Sequence, residues 1–224
     1  MIGSRLPPLN AILDEAGARA SGWTVPALAQ ACLDGGAMFL QVRAKGLAGR
    51  AYLEVCDAVV ALARPRGATV VVNDRADLAR LCRASGVHVG QRDLSPADVR
   101  TVIGGSAIVG LSTHTMAQVR AALRLPVDYV AVGPVFETRS KETSGGAVGL
   151  DFVTEAAILA RGAATGEPAR PVVAIGGITL ERARAVIAAG AASVAVISDL
   201  LATGDPASRV REYLDVLSEG SGPT

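Results

Sequence analysis

Short apolar runs alternate along the chain with longer segments in which apolar residues recur every three to four positions. Runs of this length suit buried strands, and the longer segments suit helices that bury one face. Capping side chains followed closely by Pro, an acid or an amide mark helix starts at Thr24, Ser95, Thr115 and Asp205. The strands are predicted at residues 9–13, 38–43, 69–72, 86–89, 107–111, 127–132, 171–175 and 193–197.

Eight strands, each followed by a helical segment, predict an α/β protein with a single-domain (β/α)8 TIM barrel, and an open doubly wound sheet is the alternative. Half of the residues are hydrophobic but only 3% are aromatic. This aliphatic bias suits a parallel sheet that is covered on both faces. No low-complexity linker divides the chain, so we expect one domain over residues 1–224, with flexible termini at about 1–8 and 219–224.

The charge balance limits the kinds of partner. The chain has 22 basic and 21 acidic residues and a net charge of +1, so no overall field attracts nucleic acid or a membrane. The opening segment has no secretory pattern, and no apolar stretch is long enough to span a bilayer. We therefore expect a cytoplasmic protein that binds small molecules. Cys32, Cys56 and Cys82 have no metal-site spacing and are expected to be buried, reduced thiols.

Polar residues stand at the predicted strand ends, where the loops of a barrel build its active site. Gln41, Arg43 and Lys45 alternate at the end of the second strand and so face the same way. Two neighbouring cations suit a bound diphosphate, with Arg as a planar fork and Lys as a point charge. The alternative is a solvated rim whose cations pair with carboxylates.

Asp74 and Asp93 are 19 residues apart, the length of one helix plus one strand, so they should lie at adjacent strand ends. Paired carboxylates suit Mg²⁺, which takes its remaining ligands from water and substrate phosphate. The alternative is that Asp74 caps the next helix and Asp93 starts a turn.

A second anion site is predicted after the seventh and eighth strands, at Gly176, Gly177 and Ser198, because phosphates commonly bind there in such barrels. The long segment 134–149 has the length of a lid or binding loop, and a surface insertion is the alternative. His88 is interpreted as a buried barrel histidine, and His114 as either an acid–base group or a helix-start residue. The hydroxyls and cation suited to phosphate in the long segment are Thr138, Ser140 and Lys141.

The ordered set QVRAK, VNDRADLA, GVHVGQRDL, GLSTHT, VGPVFETRSK, VVAIGGIT and VAVIS resembles the thiamine phosphate synthase family. The resemblance covers roughly residues 9–200, with one motif per βα unit. It implies a transferase that joins hydroxymethylpyrimidine diphosphate to thiazole phosphate, giving thiamine phosphate and diphosphate. It also implies small homo-oligomers.

The resemblance assigns roles to particular residues. Gln41, Arg43, Lys45 and Asn73 would hold the pyrimidine diphosphate, with Ser112 and Lys141 also contacting that substrate. Asp74 and Asp93 would bind Mg²⁺. Arg43, Lys45, Ser112 and Lys141 are the expected catalytic residues. The thiazole phosphate would be held by Thr138, Ser140, Gly176, Gly177, Ile197 and Ser198.

Two positions depart from the family pattern, because Ala44 stands where an acid is usual and Ser140 replaces a threonine. A thiazole tautomerase of the same superfamily is an alternative function, since it uses a histidine in the segment where this chain has His114. The Asp74 and Asp93 pair favours the synthase. A non-catalytic sensor of a phosphorylated ligand is an alternative from another class.

Overall fold

The computed structural model describes residues 6–138, 146–162 and 169–218. Eight parallel strands pair in chain order and close, β8 against β1, which confirms the predicted barrel rather than the open sheet. Ser140 and Lys141, both predicted site residues, lie outside the described residues. The same holds for 1–5 and 219–224, which make up most of the termini expected to be flexible.

Each strand is followed by at least one helix that packs on the outside of the barrel. The strands are β1 Leu9–Asp14, β2 Phe39–Arg43, β3 Thr69–Asn73, β4 Gly86–Val89, β5 Ile108–Thr113, β6 Tyr129–Val132, β7 Val172–Ile175 and β8 Ser193–Val196. The helices are α1 Glu15–Ala20, α2 Val25–Asp34, α3 Gly49–Ala63, α4 Ala76–Leu81, α5 Pro96–Ile103, α6 Met116–Ala122, α7 Gly149–Ala160, α8 Leu180–Ala188 and α9 Pro206–Ser218. Short 3₁₀ turns span Arg64–Arg66 and Ser198–Leu201.

The four predicted helix starts are confirmed. Thr24, Ser95 and Thr115 each accept a hydrogen bond from the backbone N–H three residues on, at 3.2 to 3.3 Å. Asp205 does the same for α9 at 3.0 Å. Such caps satisfy N–H groups that have no partner inside the helix.

One strand boundary matters for the site. The fifth strand was predicted to end at residue 111, but β5 continues to Thr113 because Ser112 and Thr113 stay in register with Ala131 and Val132 of β6. Ser112 is therefore part of the barrel wall and does not lie in the loop that follows. Its position is fixed by the sheet on both sides.

The barrel interior is closed by aromatic rings. Tyr129 is fully buried and makes an edge contact with Phe39, at 5.9 Å between ring centroids, and a stacked contact with His88 at 5.5 Å. Gly110 makes this possible, since a Cβ there would lie 2.0 Å from a Tyr129 ring carbon. Leu6 is buried in the same interior cluster. The space for ligands is therefore at the carboxyl-terminal mouth.

Among the described residues, no helix has the length and apolar character that crossing a bilayer requires.

Candidate active site

The alternation predicted for the second strand holds. Gln41 is buried and Arg43 half-buried, while the intervening Val42 belongs to the outer core between strands and helices. Arg43 does not stand alone, because its guanidinium donates to the carboxylate of Asp14, the last residue of β1 and its register partner. Their side chains are 16% and 13% exposed. Asp14 was not among the predicted site residues.

Ala44 is buried in the outer core, on the side of β2 away from Arg43. Position 44, where relatives of the family usually have an acid, therefore does not hold the Arg43 guanidinium in this chain. Asp14 does so, and it also accepts a hydrogen bond from the Gly17 N–H at 3.1 Å and caps α1. The same carboxylate thus fixes both a helix start and a cation at the mouth.

Lys45 reaches the next strand end, where its ammonium lies 2.9 Å from the Asp74 carboxylate. Asp74 adopts a left-handed conformation, with φ 65°, and its N–H donates to the His88 carbonyl at 2.8 Å. Helix α4 begins two residues later with Arg75 as its N-cap, so Asp74 does not cap it. The Asp74 side chain is thereby left to face the mouth.

The two predicted metal carboxylates lie together. Burial raises the pKa of Asp74, Lys45 lowers it, and a hydrogen bond and charge contact with Asp93 raise it further. Asp93 is itself positioned by the Gly90 N–H, which donates to it at 2.7 Å. Adjacent carboxylates with one lysine, which contacts Asp74, carry net negative charge, and a bound cation would neutralise it.

This donor set fits Mg²⁺. The ion is usually held by one or two carboxylates, with water and substrate phosphate supplying the other oxygens. The described part of the chain has no group of three or more His, Cys, Asp or Glu side chains that could hold a metal, so Asp74 and Asp93 would act as a pair.

Ser112 is held from two sides beneath the mouth. Its hydroxyl lies 2.8 Å from His88 Nε2, and His88 Nδ1 lies 2.9 Å from the Tyr129 hydroxyl. The Gln91 amide donates to the Ser112 carbonyl at 2.7 Å. The interpretation of His88 as a hydrogen-bonded barrel histidine is confirmed. Ser112 was predicted from the sequence as a site residue, but its hydrogen bonds through His88 to Tyr129 were not.

Asn73 is the last residue of β3, and its side chain is almost buried. Its carbonyl accepts a hydrogen bond from the Tyr52 hydroxyl at 3.1 Å, and the same hydroxyl also bonds the Val42 carbonyl at 2.8 Å. Tyr52 on α3 thus ties the ends of β2 and β3 together, next to Gln41 and Arg43.

A cavity of about 240 Å³ opens at the ends of β6, β7 and β8. Gly176 and Gly177 both have positive φ, 103° and 62°, and a Cβ on either would come within 2.5 Å of backbone atoms of the β6 loop. Only glycine fits there without displacing backbone. Five predicted binding residues line this cavity, namely Thr138, Gly176, Gly177, Ile197 and Ser198.

His114 also lines the cavity, but its ring is engaged. Its Nδ1 lies 2.6 Å from the Gly133 carbonyl, and its backbone N–H donates to Gln118 at 2.7 Å. Because a carbonyl only accepts, Nδ1 carries the proton of this bond. His114 therefore serves the helix start and the cavity wall together.

A (β/α)8 barrel whose mouth combines cations, paired carboxylates and a glycine-lined cavity has the features of an enzyme that acts on phosphorylated small molecules. The family model described as thiamine monophosphate synthase matches residues 10–200. The chain belongs to this family.

Similar proteins agree. Thiamine-phosphate synthase of Koribacter versatilis is 43% identical over 96% of this chain and 98% of its own length. The enzyme of that name from Solidesulfovibrio magneticus is 44% identical over 83% and 84%. The solved structure of thiamine phosphate pyrophosphorylase from Pyrococcus furiosus superimposes with a TM-score of 0.81, at 27% identity over 96% of both chains.

These comparisons confirm the resemblance noted in the sequence and the expectation of a transferase of the thiamine phosphate synthase type. They support neither the tautomerase nor the sensor alternative. The Koribacter versatilis relative, which carries the synthase name, aligns with nearly the full length of this chain.

Proposed function

We propose that the protein joins hydroxymethylpyrimidine diphosphate to thiazole phosphate at the mouth of its barrel, releasing diphosphate. The observation that carries the proposal is that two regions suited to anions open at one end of the same barrel. One is the Arg43, Lys45 and Asp74 group, and the other is the glycine-lined cavity after β7 and β8.

In this proposal the pyrimidine diphosphate lies over the ends of β2 to β5. Arg43 and Lys45 neutralise the diphosphate, while Gln41 and Asn73 offer amide groups from the same wall. The Ser112 hydroxyl, fixed by His88 at 2.8 Å, contacts the pyrimidine. Because these groups sit at strand ends, they need little reorganisation when substrate binds.

Asp74 and Asp93 would hold Mg²⁺ beside the diphosphate. When bound, the ion supplies positive charge that stabilises the departing diphosphate. Lys45, 2.9 Å from Asp74, keeps that carboxylate oriented toward the mouth.

The thiazole phosphate would occupy the cavity lined by Gly176, Gly177, Ile197 and Ser198, with Thr138 at its edge. Glycines allow close approach of backbone N–H groups to an anion. Family resemblance assigns Ser140 to the thiazole phosphate and Lys141 to the pyrimidine substrate.

The chemistry needs positioning and charge stabilisation more than a nucleophile. Arg43, Lys45 and Lys141 stabilise the diphosphate as its bond to the pyrimidine methylene breaks. The electron-rich pyrimidine supports the resulting cation, and the thiazole nitrogen attacks it from the neighbouring cavity.

The three cysteines of the chain are free and buried, which suits the cytoplasmic location proposed here.

The proposed partners are the two small-molecule substrates and further copies of the same chain.

The test is to incubate the purified protein with both substrates and measure thiamine phosphate, with Mg²⁺ or with EDTA. We expect turnover only with Mg²⁺, and a loss of about 100-fold in Asp93→Asn, comparable to removing one strong charge-stabilising contact. Asp215→Asn, an exposed carboxylate on α9, is the control. Mg²⁺ titration by calorimetry with diphosphate present measures the metal site without turnover.

Absence of thiamine phosphate, together with isomerisation of thiazole carboxylate phosphate, would establish the tautomerase instead. Full activity of Asp93→Asn would remove that residue from the metal site.

A further inference from the structure

Helix α9 carries two polar side chains that point inward although the helix lies outside the barrel. Arg209 is 9% exposed and Tyr213 is fully buried. They are four residues apart, so they lie on the same face of the helix. Burying a guanidinium and a phenol is costly unless both are hydrogen-bonded. The group to which both side chains bond indicates their role.

Both side chains converge on one carboxylate oxygen, Oδ2 of Asp199. Arg209 donates to it from Nε at 3.0 Å and from Nη2 at 2.8 Å, and the Tyr213 hydroxyl donates at 2.6 Å. The backbone N–H of Leu180 donates to the same oxygen at 3.2 Å. The third guanidinium nitrogen of Arg209, Nη1, donates to the Glu212 carboxylate at 2.9 Å.

These bonds connect two loops of the cavity. Asp199 follows Ser198 in the 3₁₀ turn after β8, and both line the cavity. Leu180 begins α8, directly after the Gly176–Thr179 loop that also lines the cavity. The Tyr213 hydroxyl also reaches the Ile178 carbonyl at 3.4 Å. One carboxylate therefore joins the β7 loop, the β8 loop and α9.

The charge of Asp199 gives Arg209 a second role, which is to neutralise that carboxylate. A carboxylate in the wall of a cavity for a phosphate repels that phosphate unless a cation neutralises it. Arg209 makes two bonds to that carboxylate, with both side chains 11% exposed. Burial and Asp199 both raise the pKa of Tyr213, so its hydroxyl keeps the proton that it donates.

We propose that Arg209 and Tyr213 are positioning residues for the thiazole phosphate site, which act through Asp199 to fix the β7 and β8 loops and to neutralise a carboxylate in the cavity wall. This proposal rests on the proposed function for the identity of the phosphate ligand. It makes no use of the diphosphate side of the mouth, from which the network is separate.

The test compares steady-state kinetics of Arg209→Met and Tyr213→Phe for each substrate. We expect the KM for thiazole phosphate to rise at least tenfold in Arg209→Met and about threefold in Tyr213→Phe. The KM for pyrimidine diphosphate should stay within twofold, with kcat within threefold at saturation. Arg209→Lys should recover part of the loss, because a lysine restores the charge but not the fork.

The matched control is Arg100→Met. Arg100 pairs with Asp128, which also accepts from the Val109 N–H, but this ion pair joins the starts of β5 and β6 at the opposite end of the barrel. It is also mostly buried, with side chains 19% and 28% exposed. Arg100→Met should lose stability without a selective change in either KM.

Two further measurements distinguish a failure of this proposal from a failure of the proposed function. Inorganic phosphate should raise the melting temperature of the wild-type protein and raise it less in Arg209→Met, whether or not the protein makes thiamine phosphate. In the double variant Asp199→Asn with Arg209→Met, the KM for thiazole phosphate should fall back partway, because no unpaired carboxylate remains.

Equal rises of both KM values, or an unchanged KM for thiazole phosphate with an unchanged phosphate shift, would overturn the proposal. If Arg209→Met does not fold, Arg209→Lys and Tyr213→Phe carry the same comparison.

Discussion

The pair of Asp14 and Arg43 offers a prediction that separates stability from catalysis. Asp14 does two things: it neutralises Arg43 and it caps α1 through Gly17. Asp14→Asn keeps the capping oxygen, since Asn is as good an N-cap as Asp, but it removes the charge. Asp14→Ala removes both. The difference between the two variants therefore measures the cap alone.

The expected magnitudes follow from burial. Removing one partner of a fully buried ion pair costs about 3–5 kcal/mol. With 16% and 13% of the side chains exposed, the Asp14→Asn cost should be about 2 kcal/mol, because water reaches part of the guanidinium. Asp14→Ala should cost about 1 kcal/mol more, the usual value of a lost N-cap.

Catalysis should also suffer, because Arg43 loses the group that orients it. We expect kcat/KM for pyrimidine diphosphate to fall about tenfold in Asp14→Asn, which corresponds to about 1.4 kcal/mol. Urea unfolding and steady-state kinetics measure the two effects. Asp34→Asn is the control, because its pair with Arg66 has side chains 52% and 37% exposed and should contribute at most about 1 kcal/mol.

An Asp14→Asn variant with wild-type stability and activity would refute this reasoning. Tighter binding of diphosphate would refute it as well, since it would show that Asp14 competes with the substrate for Arg43.

Two other predictions concern the cavity and the outer core. Gly177→Ala should cost about 1–3 kcal/mol of stability and raise the KM for thiazole phosphate, because φ is 62° and a Cβ would lie 2.5 Å from the Glu137 carbonyl. Gly204→Ala, with φ 77° but no atom within 4 Å, should lose stability only, and equal KM values in both variants would contradict the clash. Burial raises the pKa of Cys32 from 9.0 to about 12, so its contribution to stability is present below pH 9 and is lost as the pH rises toward 12. Between pH 8 and 10 the loss should be about 1 kcal/mol, and a Cys32→Ala variant with the same pH profile as wild type in urea unfolding would disprove it.

The residues that sequence reasoning placed correctly are those whose position depends on local pattern. Gln41 and Arg43 alternate with Val42, and period two alone puts them on one side of β2. Asp74 and Asp93 meet because one helix and one strand separate them, which the order of βα units dictates. The helix caps depend only on side chains within three residues.

What was missed depends on register and on contacts between distant segments. Asp14 and Arg43 are 29 residues apart, and they pair only because the β1–β2 register sets them side by side. A carboxylate at the end of the first strand was the available signal. The contact of Arg209 with Asp199 depends on how α9 packs over the last two loops, which no local pattern states.

Gly110 and Tyr129 in the barrel interior impose an order on how these two positions can change during evolution. A Cβ at position 110 would lie 2.0 Å from the Tyr129 ring, so a larger residue there is tolerated only after the ring has been lost. Losing the ring first removes the stacking partner of His88 and its hydrogen bond at 2.9 Å. Since His88 also holds Ser112, this route passes through a sequence with a less well-fixed hydroxyl at the mouth. The glycine, the tyrosine and the histidine should therefore be inherited together, as an epistatic unit.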